Sequence, residues 1–539
     1  MKKFWLLPAG MALFLFACTK DNQTRVQLYP EGPKAEIRFL DGLPSPSQGR
    51  AGAPVTFKVL GLKGKENNFK FLMGQLETEV ITVGDSTVTV RVPEDAITGG
   101  AAVVYNNQYY FGPEFRVRGN ISIDPAFTAF NGAEGTIFDV VPATGLANNY
   151  IVAGSFTNYQ NQGSPAAPII NLARINGTGA PMTGSGDRLL TRTGAEGGAV
   201  YAIAPMSTSQ YLISGFFSRY NERDGISSIT RVYQRAQLDT SVVTLVNTDP
   251  INNPNDDRDT VATFNGGVNG VIRRAFETTS GQIIAVGAFT EYRSYFYERS
   301  TKSAKVTDRV LMNTVLRMNS NGTLDSTFNY DLALHRGKPG VNGAVSEALR
   351  ISGNRIVIVG NFTNYNGSAA GRIVAVNESD GSVATNFNTG TGADGVITAA
   401  TYNATTGRIL LTGEFRNFNG TPVNGVVMLK TDGSIDTGFT LAPVEGGMVT
   451  FATQLNSGRI LIAGNFHKYN GKIRPGFGVL DASGNAIQGY NNLGAFSGTV
   501  YKALERTTEQ GYPGVILVGN FSRFDNTEVR NIVFLEIRN

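Results

Sequence analysis

Apolar and polar positions alternate in short runs along most of the chain. In Val55-Thr56-Phe57-Lys58-Val59 the apolar residues share one face, and Val88-Thr89-Val90-Arg91-Val92 does the same before stopping at Pro93. Later strands are expected at Ala101–Tyr105 and Phe115–Val117. Period-two runs bounded by Gly and Pro predict half-buried β-strands, and the set over residues 34–118 predicts a β-sandwich. No long helical period competes with this reading.

Beyond residue 119 the pattern itself recurs. An apolar run ends in Gly-x-Phe at Gly154-Ser155-Phe156, Gly215-Phe216-Phe217 and Gly287-Ala288-Phe289. It does so again at Gly360-Asn361-Phe362, Gly413-Glu414-Phe415, Gly464-Asn465-Phe466 and Gly519-Asn520-Phe521. A second glycine opens an apolar strand at a nearly constant distance upstream of each, at Gly135, Gly198, Gly270, Gly343, Gly395, Gly447 and Gly498. Two independent marks held in step through seven copies define a structural repeat. Each unit reads as four strands. In one copy strand a is Val396–Ala400, strand b Arg408–Gly413, strand c Val426–Leu429 and strand d Ile435–Phe439. Asp432-Gly433 and Asn321-Gly322 are hairpin signals between c and d. Four antiparallel strands repeated in series predict a β-propeller, because one such sheet cannot bury both faces alone. The last copy ends on its strand c, and Ile123-Asp124-Pro125-Ala126-Phe127 has the form of the missing strand d in Leu324-Asp325-Ser326-Thr327-Phe328. The prediction is therefore all-β: an N-terminal Ig-like β-sandwich followed by a seven-bladed β-propeller closed by an N-terminal strand.

Composition agrees with this. Glycine supplies 64 of 539 residues, well above the ~7% of an average chain. Net charge is only +4, which argues against a nucleic-acid binder held by phosphate contacts. A single cysteine excludes a disulfide framework and a Cys-based zinc site. That cysteine follows Met1-Lys2-Lys3 and an apolar run from Phe4 to Ala17, shorter than the ~20 residues of a spanning helix. This is the pattern of a secretory signal over residues 1–17. Residues 18–33 lack an apolar period and read as a flexible tether.

Leu15-Phe16-Ala17-Cys18 resembles the bacterial lipoprotein box. The resemblance implies cleavage before Cys18 and acylation there, hence an outer-membrane lipid as partner. Lys20-Asp21 resembles the surface-export signal of Bacteroidota lipoproteins, implying a cell-surface location. The sandwich resembles the IPT/TIG immunoglobulin-like family through its V-T-F strand and its T-V-T-V-R-V-P strand. The repeat resembles the delta-60 type of bacterial propellers through its I-L-V-G-N-F, N-G and L-D-x-x-F elements. Together these imply a Bacteroidota surface lipoprotein accompanying a nutrient importer of the SusC/SusD kind.

Function should break the sevenfold pattern. The Tyr after Gly-x-Phe (Tyr159, Tyr220, Tyr365, Tyr469) keeps it and is expected to pack between blades. Two units break it with long loops. One carries Asp256, Asp257 and Asp259, a possible oxygen-rich Ca²⁺ site. The other carries Tyr292, Tyr295, Phe296 and Tyr297, followed by Tyr330, His335 and Arg336. By strand parity these loops share one face, and they are the expected contact surface for a glycan or peptide ligand. His335 and His467 are the only histidines, and no nucleophile elbow, zinc-protease or phosphate-loop motif occurs. Nothing calls for a cofactor. Non-catalytic binding in support of nutrient uptake is the reading; an adhesion or interaction scaffold is the alternative. A propeller enzyme acting on polysaccharide through spatially paired carboxylates is the third.

Overall fold

The computed structural model describes residues 36–163, 168–182 and 194–538. The expected signal over residues 1–17, Cys18 and the expected tether lie outside the described residues. The N-terminal unit is a sandwich of two sheets, one running 38–39, 54–60, 87–91, 80–83 and the other 48–49, 108–117, 99–105, 69–73, 76–77. Alternate residues of both sheets point inward, so Phe57, Phe71 and Phe115 form the centre of its core.

The remainder is a β-propeller of seven sheets. The first strand of each, here strand a, packs against the first strands of both neighbours, and the seventh packs against the first. Strand a spans Thr136–Pro142, Ala199–Pro205, Val271–Glu277, Ala344–Ile351, Val396–Asn403, Val449–Gln454 and Ser497–Thr507 in the successive blades. Strand b is buried on both faces; Arg355–Asn361 is covered throughout except at its last residue. That is why the b strands read as continuous apolar runs rather than alternating ones.

The repeat glycines have a steric cause. In every strand a the register slips by one residue, between Ile137 and Asp139 in the first blade and between Val500 and Lys502 in the last. This β-bulge presses the backbone of strand a onto strand b. A Cβ at Gly154 would meet the Thr136 carbonyl oxygen at 2.0 Å, and one at Gly413 would meet that of Val396 at 2.1 Å. The opening glycines meet the same crossing from the other side, Gly135 lying against the Ser155 carbonyl.

The ring closes as the spacing suggested. Ile121–Ile123 pairs antiparallel with Leu535–Ile537, so the strand lies slightly N-terminal of the expected one, and Asp124 begins a turn. Phe127 then packs edge-on against Phe534, ring centroids 6.0 Å apart. Asn531 donates to the carbonyls of Ala133 and Gly135, just as Asn171 donates to those of Ala195 and Gly198 between the first two blades. The seam is thus bonded like an ordinary blade junction.

Strand d differs from expectation. In six blades it is reduced to a single bridge, such as Met318↔Leu324 or Leu429↔Ile435. In those of the six that carry it, the aspartate of L-D-x-x-F contributes to this. Asp325 Oδ1 accepts the Thr327 N–H at 2.9 Å and Asp436 Oδ1 that of Gly438 at 3.1 Å, which turns the chain before a ladder can form.

These aspartates usually hold a guanidinium. Asp325 is bonded by Arg317 at 2.7 Å, Asp239 by Arg231 at 2.6 Å, and Asp436 by Arg408. Asp124 is the exception: Phe534 occupies the place of Arg317, as the matching bonds Asp124 N to Phe534 O and Asp325 N to Arg317 O show. Asp124 is fully buried, and its Oδ2 has no partner. Burial, with Glu536 and Glu509 adding to it, pushes its carboxyl above the ordinary range, against the pull of the Ala126 N–H.

The sandwich docks beside the seam through polar contacts. Asp95 pairs with Lys472 at 2.7 Å and Arg474 at 3.1 Å, and Thr98 and Ala96 bond the backbone and side chain of Asn492.

Two outcomes follow. Ile121→Ala removes a buried clasp side chain and should cost about 2–5 kcal/mol, read as a lowered melting temperature; an unchanged melt would detach the clasp from stability. For Asp124 the folded-state pKa is raised, so its contribution is present in acid and lost as pH rises through that pKa. Asp124→Asn should therefore raise the melting temperature, and by more at pH 8 than at pH 5.

Candidate functional site

The long loops fold into three extra hairpins on one side of the propeller. The second blade contributes Thr240–Thr244 paired with Arg258–Ala262. The third contributes Glu291–Tyr295 paired with Thr307–Leu311, with a single 3-10 turn at Tyr297–Arg299, and then Tyr330–Asp331 paired with Arg336–Gly337. The first two are tied together by Lys305–Asp259 at 2.8 Å, by Lys302–Asp256, and by Val246 N to Ser300 O at 2.8 Å. They form one ridge.

These ion pairs overturn the calcium expectation. Asp256 and Asp259 are taken by lysines of the neighbouring hairpin, and Asp257 lies 4.0 Å from Arg258. Among the described residues no cluster of three acidic, His or Cys side chains could hold a metal.

The predicted ligand residues divide. Tyr292 is buried, its hydroxyl donating to the Gly322 carbonyl at 3.0 Å. That is the bond Tyr159, Tyr220, Tyr365 and Tyr469 make to Gly179, Ala236, Gly381 and Gly484. Tyr292 is therefore a repeat-packing residue and not a ligand platform. Tyr295 and Tyr297 stack on each other, centroids 5.9 Å apart, and both are half-buried. Burial, then Tyr295 and Asp259, pushes the Tyr297 hydroxyl up to about 12. Phe296, His335 and Arg336 are exposed, and Tyr330 is half-buried. The ridge surface is apolar in places, Ile251 being 91% exposed and Leu311 57%, and Leu332 on the third hairpin is 69% exposed.

The second site lies in the central channel, and reading the chain linearly did not find it. A bulge makes two successive residues of strand a face the axis, a recognised way of re-aiming side chains. The bulged residue is Phe138, Tyr201 and Arg273 in the first three blades. It is Ser346, Thr398 and Thr450 in the next three, and Tyr501 in the last. These seven line a vestibule of about 500 Å³. It sits at the opening ends of the a strands, so it shares a face with the ridge. Its chemistry is lopsided. Phe138 contacts the rings of Tyr201 and Tyr501 at centroid distances of 4.7 and 5.4 Å, and Arg273 stands 4.7 Å over Tyr201. The facing wall is made of small hydroxyl side chains.

Below the vestibule an ion network spans the channel. Arg274 makes two 2.8 Å bonds to Glu347, approaches Asp139 at 3.5 Å and donates to the Tyr201 carbonyl at 3.0 Å. Asp139 also accepts the Val140 and Ile203 N–H groups and lies 3.9 Å from Lys502. Burial works against the Arg274 charge, and Glu347 and Asp139 more than offset it. A second chamber of about 410 Å³ lies beyond the network.

Two repeat units, residues 354–387 and 405–439, match the family model described as "Domain of unknown function (DUF5122) beta-propeller". Residues 17–113 match the model described as "Domain of unknown function (DUF5008)". A search of curated proteins finds no match. Among solved structures the chain is similar to an auxiliary nutrient binding protein from Bacteroides thetaiotaomicron, with 10% identity, 93% of this chain and 98% of that one covered, and a TM-score of 0.34. A protein of the same description from Bacteroides ovatus shows 12% identity, 94% and 100% coverage and a TM-score of 0.28. Prolyl oligopeptidase B from Galerina marginata shows 11% identity, 84% and 55% coverage and a TM-score of 0.32. At such scores the chain paths diverge, and the reading of the site rests on its own geometry.

The Tyr292 assignment is open to a direct check. Tyr292→Phe leaves the buried Gly322 carbonyl without its donor and should cost about 0.5–1.5 kcal/mol of stability. Phe296→Ala, at an exposed tip, should leave the melt unchanged.

Proposed function

We propose that this protein is a non-catalytic binding protein for nutrient capture, taking an oligosaccharide or peptide into the channel vestibule. The observation that carries this is the lopsided lining. Seven positions equivalent by the repeat hold three aromatic rings and a guanidinium on one side and three hydroxyls on the other. Packing alone has no use for this difference, since the b strands and the inter-blade phenylalanines already hold the blades together. Aromatic faces opposite hydroxyl groups suit a ligand with one apolar and one polar edge.

The carboxylates nearest the vestibule favour binding over hydrolysis. Glu347 is saturated by the Arg274 fork, and Asp139 by two backbone N–H groups and its cations. Neither is placed as a proton donor to a glycosidic oxygen.

In this reading the chain is anchored in the outer membrane by lipid on Cys18 and faces outward. The basic start, the apolar run and the Leu15–Cys18 box support that placement. The ridge is then the surface for a partner protein, a SusC/SusD-like importer. The exposed Ile251 and Leu311 on a braced support favour a protein contact there, with the exposed Leu332 on the third hairpin of the same face. The same surface would serve an adhesion scaffold, which would bind no small ligand.

Oligosaccharide and peptide libraries tested by calorimetry against the purified chain decide the matter. Tyr201→Ala and Tyr501→Ala should each weaken the captured ligand about tenfold, ~1.4 kcal/mol, with an unchanged melt. Loss confined to Phe296→Ala would move the site to the ridge.

A further inference from the structure

The channel cations are not equivalent. Arg274 and Lys502 lie beside Asp139, and Glu347 fills the Arg274 fork. In the throat two cations thus meet two carboxylates, and Arg273, above them in the vestibule, is left without a carboxylate of its own. Its guanidinium has no hydrogen-bond or carboxylate partner among the described residues; its neighbour is the Tyr201 ring. It is half-buried at the mouth of a walled vestibule. The other charged side chains lining the vestibule are Arg274 and Glu347, paired with each other at its floor, and Glu414, exposed at the rim two blades away.

A guanidinium is a rigid fork of donors matched to a planar or tetrahedral anion. One held against a ring with its donors unfilled is arranged to accept such a group from a ligand. The flanking surfaces narrow the ligand further. The rings of Phe138, Tyr201 and Tyr501 offer broad faces, which suit the C–H face of a pyranose. The hydroxyls of Ser346, Thr398 and Thr450 both donate and accept, which suits a ligand edge made of hydroxyls.

We propose that the vestibule recognises an anionic saccharide, with its carboxylate or sulfate ester on Arg273 and its ring on the aromatic wall. This rests on the reading that the vestibule is the binding site, and it assigns the ligand's charge.

The test uses the full acyl-free chain from residue 19 and four probes: oligogalacturonate, a sulfated galactan oligomer, a neutral galactan oligomer and a Glu-rich peptide. Binding is measured by calorimetry at low and high salt. One or both anionic sugars should bind at least tenfold tighter than the neutral one, and that margin should shrink with salt. Arg273→Gln should abolish the margin, the loss for the anionic sugar exceeding any loss for the neutral one by at least tenfold. Arg273→Lys should keep part of it, since charge remains and the fork is lost. Which anionic sugar binds tells carboxylate from sulfate. Equal affinity for charged and neutral sugars, or an unaltered margin in Arg273→Gln, overturns the assignment of charge and leaves the vestibule standing. Binding of the peptide alone overturns the saccharide class. Sugar binding that survives Tyr501→Ala undiminished overturns the vestibule reading as well.

Discussion

The structure depends on one backbone contact, repeated in every blade, between a bulged strand a and the glycine that ends strand b. At Gly154, Gly360 and Gly519 the carbonyl of strand a lies about where a Cβ would be, 2.0 Å away. No other residue admits that approach without moving one strand off the other. The contact allows the bulge, and the bulge turns an extra residue of each strand a toward the axis. Structural constraint and chemical freedom are thereby separated. The glycine is fixed by sterics, while the bulged residue beside it touches only the channel and its neighbours around the axis. Phe138, Arg273 and Thr398 can therefore stand in equivalent places without disturbing any blade.

The second dependence is closure. A three-stranded sheet buried on both faces needs a neighbour on each side, so an open array would expose two apolar faces. The clasp Ile121–Ile123 and the Phe127–Phe534 contact bring the two ends of the repeat region together. That contact has a consequence at Asp124. Where Arg231, Arg317 or Arg408 bonds the matching aspartate in other blades, no arginine bonds Asp124; the seam has Phe534 in the place of Arg317, gaining ring packing and leaving a buried carboxyl half-satisfied. A buried, unpaired carboxylate is costly in its charged form. The seam therefore carries the one member of this aspartate series, among the described residues, whose pKa is displaced upward.

Much of this was legible in the chain. Two glycine marks in step through seven copies gave the repeat, and a stray L/I-D-x-x-F before the first copy gave the clasp. The buried tyrosines were legible for the same reason, yet Tyr292 was assigned to a ligand although it fills the slot of Tyr159. Local loop length outweighed the repeat column there. The strand d ladder was overread because an aspartate turn looks like an alternating strand until its side-chain bonds are seen. The acid cluster looked like a metal loop because Lys302 and Lys305 lie in another hairpin. The vestibule was hidden by an offset: alternation assigns every second residue to a face, and the bulge breaks that rule by one place. Reading down the third position after each opening glycine, rather than along the chain, would have exposed the sequence Phe, Tyr, Arg, Ser, Thr, Thr, Tyr.

The division of charge in the channel explains why the throat and the vestibule can do different work. A buried ion pair is held at a desolvation cost and resists losing either partner. Arg274, bonded through two donors to Glu347 and through a third to the Tyr201 carbonyl, has little to offer a ligand without breaking those bonds. Its network fixes four blades across the axis and sets a rigid floor. Arg273, one residue earlier on the same strand, projects into the vestibule because of the bulge, and its ring partner leaves its donors open. The two arginines are adjacent in sequence and identical in chemistry. The partners available above and below the bulge make one a structural cation and leave the other free to meet a ligand.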